Sequence, residues 1–191
     1  MARLSDKDLC QDALNHSDTS KQKGFSLIEL LVTLVISVII ITLAIPAFTR
    51  WISQNELSSS ALLFRHVMSD ARSEAVKLGR PVRLCSRDGA LLACAGTSLT
   101  GTRDWSHGAI LFLDVDDNRA YEANTDLLLR AFELPTALSA TWNRGHSLSF
   151  LPSGRMNWGS NGTFKLTSSN ELISPVHLVV GIQGRIRSFE P

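Results

Sequence analysis

The sequence is poor in the groups from which active sites are built. Its 191 residues include three cysteines and five histidines, and His16, His66, His107, His146 and His177 show no ligand spacing. No phosphate-binding glycine loop, nucleophile elbow, zinc-protease string or dinucleotide-binding glycine pattern occurs. An enzymatic role therefore has no residue to stand on, and no cofactor is implied. Net charge is also missing: the formal value is +1, so bulk charge steers no partner. Lysine is scarce beyond residue 24, where Lys77 and Lys165 stand beside thirteen arginines. Arginine forks suit phosphate and carboxylate oxygens, although a GC-rich genome would favour arginine codons as well. There is no internal repeat, and the length suffices for one domain with a sizeable core.

Charge is most conspicuously missing from residues 25–48, where Glu29 is the one charged side chain. At 1.5 Å rise per residue this run spans roughly 35 Å, enough to cross a bilayer. Lys21 and Lys23 precede it closely and Arg50 alone follows. The positive-inside bias places residues 1–24 in the cytoplasm and the chain beyond about Arg50 outside. A secretory signal would be cut after the apolar segment, beside small residues. Only Leu43-Ala44-Ile45-Pro46-Ala47 offers a match, and a poor one, so the helix is expected to stay on the mature protein. A lone carboxylate within such a span costs about 2.5–3.5 kcal/mol on insertion scales, and such a residue is more often functional than accidental. Cleavage between Gly24 and Phe25 would create an amine one helical turn from Glu29.

The string Lys21-Gln22-Lys23-Gly24-Phe25-Ser26-Leu27-Ile28-Glu29, its apolar helix and Pro46 resemble the prepilin peptidase site of type IV pilins and type II secretion pseudopilins. The resemblance implies removal of residues 1–24, methylation of Phe25, and a Glu29 that pairs with the N-terminal amine of a neighbouring subunit. The leader is longer than many of its kind. The implied partners are the prepilin peptidase, other pilin or pseudopilin subunits and inner-membrane lipid.

Past the membrane the helix is expected to continue through residue 79. Leu57, Ala61, Phe64, Met68, Ala71, Ala75 and Leu78 recur in steps of three and four, as on one buried face. Arg65, Asp70, Arg72, Glu74 and Lys77 fill the other face. Pro46 is expected to kink the helix, and Gly79-Arg80-Pro81 to end it. Strands are expected at 81–85, 109–114, 127–132, 147–151, 163–167 and 177–182. Turns are expected at Asp88-Gly89, Gly96, Asn143-Arg144-Gly145, Pro152-Ser153-Gly154 and Asn161-Gly162. Strands and helices do not alternate, which argues for an antiparallel sheet wrapped on the exposed half of the helix.

Cys10 falls in the leader. Cys85 and Cys94 fall in the exported part, where disulfides persist, and no histidine lies within ten residues of either thiol to favour a metal site. A Cys85–Cys94 disulfide is expected. Together with Trp105-Ser106-His107-Gly108-Ala109-Ile110-Leu111-Phe112-Leu113-Asp114 and Leu127-Leu128-Leu129-Arg130, these cysteines resemble the GspH/FimT family of minor pilins and pseudopilins over residues 21–191. The resemblance implies an α+β, type IV pilin-like fold: a long N-terminal helix, membrane-embedded in its first half, packed on a C-terminal antiparallel two-sheet β domain. It divides the chain into a leader (1–24), a transmembrane or filament-core helix (25–48), an amphipathic helix (49–79) and a periplasmic β domain (80–191).

Two further motifs bear on function. Gly184-Arg185-Ile186-Arg187, read as a strand, puts Arg185 and Arg187 on one face about 6.6 Å apart, from two strand rises. That is comparable to neighbouring phosphates on one nucleic-acid strand, which two guanidiniums could clamp. After residue 140 five basic residues (Arg144, Arg155, Lys165, Arg185, Arg187) face two acidic ones, Glu171 and Glu190. The Gly-Arg-x-Arg string resembles the DNA-contacting motif of FimT-type minor pilins in natural transformation. The rival reading is a charged edge strand that resists aggregation. Asp114-Val115-Asp116-Asp117-Asn118 has calcium-loop oxygens, but Arg119 and Thr125 replace the glycine and the bidentate glutamate of an EF-hand. It reads as a polar turn, and no metal site is expected. Trp105, Trp142 and Trp158 could stack on bases, though tryptophans of a small β domain more often face the core or a partner. The combined expectation is a FimT-like minor pilin that contacts DNA. The alternative is a GspH pseudopilin or FimU-like tip subunit that does not.

Overall fold

The computed structural model describes residues 24–89 and 91–189. Cys10, Lys21, Gln22, Lys23 and Glu190 lie outside them. Helix α1 spans Leu27–Leu78 and is followed by nine strands. The coordinates separate into two units, one running through Ala44 and one from Ile45 onward.

In the first unit every described residue is exposed, including Phe25, Leu27 and Ile28. The helix is long and apolar enough to cross a membrane. Its hydroxyls are internally satisfied. Thr33 Oγ1 donates to the Leu30 carbonyl, Ser37 Oγ to Thr33 and Thr42 Oγ1 to Ile39, at 2.7–2.8 Å. The polar atoms thus find partners on their own backbone, as an apolar medium requires.

The second unit buries Leu57, Ser60, Ala61, Phe64, Val67, Met68, Ala71 and Ala75 of α1. The expected stripe is present with Val67 added. Leu78 departs from it at 40% exposed, because it lies in the last helical turn. Gly79 adopts φ 62°, the left-handed cap that ends a helix without a Cβ penalty.

The strands are β1 Val82–Ser86, β2 Arg103–Asp104, β3 Ala109–Leu113, β4 Leu127–Phe132, β5 Leu138–Trp142, β6 Ser147–Phe150, β7 Gly162–Ser168, β8 Val176–Val180 and β9 Ile186–Phe189. They form one sheet in the order β4-β3-β1-β6 and another in the order β2-β5-β7-β8-β9. Every pairing is antiparallel. Six strands fall near the expected segments, while β2 and β5 were not expected. Gly162, expected in a turn, instead opens β7. A Cβ there would lie 2.3 Å from Asn143 Oδ1 and 2.8 Å from Arg144 Cγ, so close chain approach is what requires the glycine.

Inner faces of both sheets and the helix stripe meet in one core. At its centre Phe164 packs on Trp142 (4.3 Å between ring centroids), Phe64 (4.9 Å) and Trp105 (5.0 Å). Trp105 and Trp142 are buried here, which removes them as base-stacking groups. Trp158 is 91% exposed.

The outer face of the four-stranded sheet carries a smaller cluster of Cys85, Ile110 and Phe112, with Cys94 and Tyr121 packed against it. Cys85 and Cys94 are joined by a disulfide with Cα atoms 5.6 Å apart. By chain entropy a loop this short contributes about 2–3 kcal/mol. Reduction of the folded chain is expected to lower unfolding stability by that amount. An unfolding midpoint unchanged by reductant, with thiol formation verified by mass, would refute the contribution.

Candidate functional site

Ser26 begins α1. Its Oγ accepts the Glu29 N–H and its carbonyl the Leu30 N–H, both at 3.2 Å. Ser26-x-x-Glu29 has the spacing of a capping box, of which the Ser26 half is formed. Among the described residues the Glu29 carboxylate is exposed and makes no hydrogen bond or ion pair. Gly24 and Phe25 stand ahead of the helix, both exposed, so the bond between them is sterically open.

Arg185 and Arg187 lie at the β8–β9 hairpin. The Gly181 N–H donates to the Arg185 carbonyl (2.9 Å) and the Gly184 N–H to the Gly181 carbonyl (2.8 Å). Gly184 takes φ 73°. The loop is therefore a tight turn closed by a left-handed glycine, and such a glycine bulge delays the start of the next strand. This corrects the expectation of one strand through both arginines: Arg187 belongs to β9, whereas Arg185 precedes it, so the spacing of two strand rises does not apply. The two remain together, since both line a concavity of about 710 Å³ with Arg72, Val179, Gly181, Ile182 and Gln183.

Arg72 is the member that sequence reasoning missed. It lies on the polar face of α1, and its Nη1 reaches the Gly184 carbonyl at 3.5 Å. A Cβ on Gly184 would come within 2.5 Å of the Gly154 carbonyl oxygen and 3.4 Å of Arg72 Nε. A Cβ on Gly154 would come within 3.1 Å of Arg72 Nε. Two glycine turns thus close on one guanidinium. Among the described residues the concavity has three arginines and no carboxylate, and Arg185 and Arg187 are exposed without an ion pair. Unpaired cations converging on a concave surface suit an anion carrying several oxygens.

The acidic loop after β3 folds differently from a calcium loop. Asp126 joins Asp114 and Asp116, with carboxylate oxygens within 4.8 Å of one another. Arg83 lies on the same sheet face and is buried by this loop. Its Nε is 2.7 Å from Asp114 Oδ2, out of hydrogen-bond alignment, and its Nη2 donates to Asp117 Oδ1 at 2.7 Å. Asp126 accepts the Val115 and Glu122 N–H groups, both at 2.9 Å. Burial pushes the Asp114 carboxyl upward, and the Arg83 guanidinium and the Arg119 N–H pull it back in part. Arginine and main-chain amides meet the charge of the cluster.

Residues 62–184 match the family described as type II transport protein GspH, and residues 19–45 match the prokaryotic N-terminal methylation motif. Two crystal forms of the Pseudomonas aeruginosa type IV minor pilin FimU are structurally similar. One is 21% identical with a TM-score of 0.53, covering 71% of this chain and 97% of that one. The other is 20% identical with a TM-score of 0.52, covering 72% and 94%. The minor pseudopilin EpsH of the Vibrio cholerae type 2 secretion system aligns at 15% identity and a TM-score of 0.49, covering 71% and 98%. No curated protein sequence matches. With its long N-terminal helix, two antiparallel sheets and methylation motif, the chain belongs to the GspH family of minor pilins and pseudopilins.

Proposed function

We propose that this chain is a low-copy filament subunit that contacts DNA through Arg72, Arg185 and Arg187, as a FimT-like minor pilin would in DNA uptake. In this reading prepilin peptidase removes residues 1–24, and Phe25 becomes the methylated N-terminus. Residues 25–48 sit in the inner membrane and then in the filament core, where Glu29 meets the amine of a neighbouring subunit. Residues 49–79 continue the helix into the periplasm and residues 80–191 form the β domain there. The role is structural rather than enzymatic.

The observation that carries DNA contact is the convergence of three guanidiniums without a carboxylate among the described residues of one concavity. Contacts of this kind go to phosphate oxygens and carry no sequence information. Binding is expected to be micromolar or weaker and to fall steeply with salt.

The fold likeness to FimU favours a second reading, a tip subunit or type II secretion pseudopilin whose β domain meets other subunits and no DNA. A gel shift with the full chain in detergent separates the two. Arg185→Gln with Arg187→Gln is expected to abolish binding. Either single change should lower the salt slope by about one, because one phosphate fewer is neutralised. Unchanged binding by the double variant excludes these residues, and no binding by the unaltered chain at low salt favours the second reading.

A further inference from the structure

The outward face of the five-stranded sheet extends the arginine concavity into a mixed aromatic and cationic surface. On β8, Val176, Leu178 and Val180 are buried in the core, and His177 and Val179 point the other way. Register pairing places Arg187 beside Val179, and Phe189 beside His177. His177 in turn pairs with Lys165 of β7. The Phe189 ring is 49% exposed and lies flat on the His177 imidazole, with centroids 5.1 Å apart and planes 9° from parallel. Lys165 is exposed. The first carboxylate along that row is Asp104, two strands beyond Lys165, where its Oδ1 is held by the Ser106 N–H and hydroxyl.

Along the edge strand, Arg187 and Phe189 therefore stand two residues apart on one face, about 6.6 Å from each other, and Arg185 precedes them in the turn, on the same concavity as Arg187. A plain aggregation-resistant edge needs charge alone. This one also carries Phe189, an exposed aromatic plate braced from behind by an imidazole. We infer that this face holds an unpaired stretch of DNA strand, with successive phosphates over Arg185 and Arg187 and the following base stacked on Phe189. The inference rests on the DNA reading above and narrows it. In a duplex the base faces are already stacked and lie away from the phosphates. A flat ring in line with two phosphate clamps finds a base only where the strand is open. Every base offers such a face, so the contact is tolerant of sequence.

Fluorescence anisotropy with the full chain in detergent tests this at fixed salt. The probes are a labelled oligodeoxythymidine and a mixed-sequence duplex of the same length. The single strand is expected to bind more tightly than the duplex. Phe189→Ala is expected to weaken single-strand binding roughly ten-fold, in line with loss of one stacked base, while duplex binding stays the same. Phe189→Trp should retain the preference, which shows that a loss in the alanine variant is not misfolding. If Phe189→Ala leaves single-strand binding intact, or weakens both probes equally while Phe189→Trp restores neither, the stacking site is wrong. The DNA reading then survives on the arginine variants alone. If the unaltered chain binds neither probe, both fall together.

Discussion

Replacing Glu29 with leucine is expected to leave the chain in the membrane and keep it out of the filament. The insertion half is straightforward: removing a carboxylate from residues 25–48 relieves about 2.5–3.5 kcal/mol of cost, so membrane levels should hold or rise. The assembly half depends on what that carboxylate meets. Two unit charges 4 Å apart attract by about 4 kcal/mol at an effective dielectric of 20, enough to offset the cost of keeping an acid in the span. Among the described residues none pairs with the Glu29 carboxylate; in the proposed reading the opposite charge is the amine made by cleavage. Incorporation should drop at least ten-fold, read by immunoblot of sheared filaments against the membrane fraction. Ser26→Ala is the control for a weakened helix start, since it removes the hydroxyl that accepts the Glu29 N–H. Loss of a cap costs about 1 kcal/mol, and this variant should still assemble. Filaments that accept the leucine variant at the normal level would falsify the pairing.

Phe164→Ala is expected to cost about 3–5 kcal/mol, in the range for a fully buried phenylalanine. Phe164 is 0% exposed and joins the helix, through Phe64, to both indoles of the core. Aromatic pairs of this kind contribute about 0.5–1.5 kcal/mol beyond area burial, and truncation forfeits three of them while opening a void that the three surrounding rings cannot close. Phe164→Leu keeps most of the volume and should cost clearly less. Denaturant unfolding of the full chain in detergent, followed by tryptophan fluorescence, reads both. Equal effects of the two substitutions would mean that packing around the ring is looser than the geometry implies.

How much of this was legible beforehand depended on the range of the signal. The buried stripe from Leu57 to Ala75 repeats within the helix itself and was readable from period alone. Gly79 was readable because the left-handed cap is a local demand. Strand β5 was not anticipated, although Leu138, Ala140 and Trp142 do alternate inward; its serine, alanine and threonine carry little strand signal. Strand β2 is two residues long and exists through its pairing with β5. The strand starts at Ile186 and leaves Arg185 in the turn, because the left-handed Gly184 packs on the Gly154 carbonyl, which is tertiary information. Arg72 and Asp126 were missed for the same reason. Each looks like an ordinary polar residue until a distant turn or carboxylate is brought against it.

The back-bonded hydroxyls of the exposed helix have a consequence for how copies line up. With Thr33, Ser37 and Thr42 turned onto carbonyls one turn back, a neighbour sliding lengthwise would meet nearly uniform hydrocarbon. If the proposed pairing holds, one tooth on an otherwise smooth rod does the indexing, and the vertical step between adjacent copies should follow that tooth when it is moved by a turn.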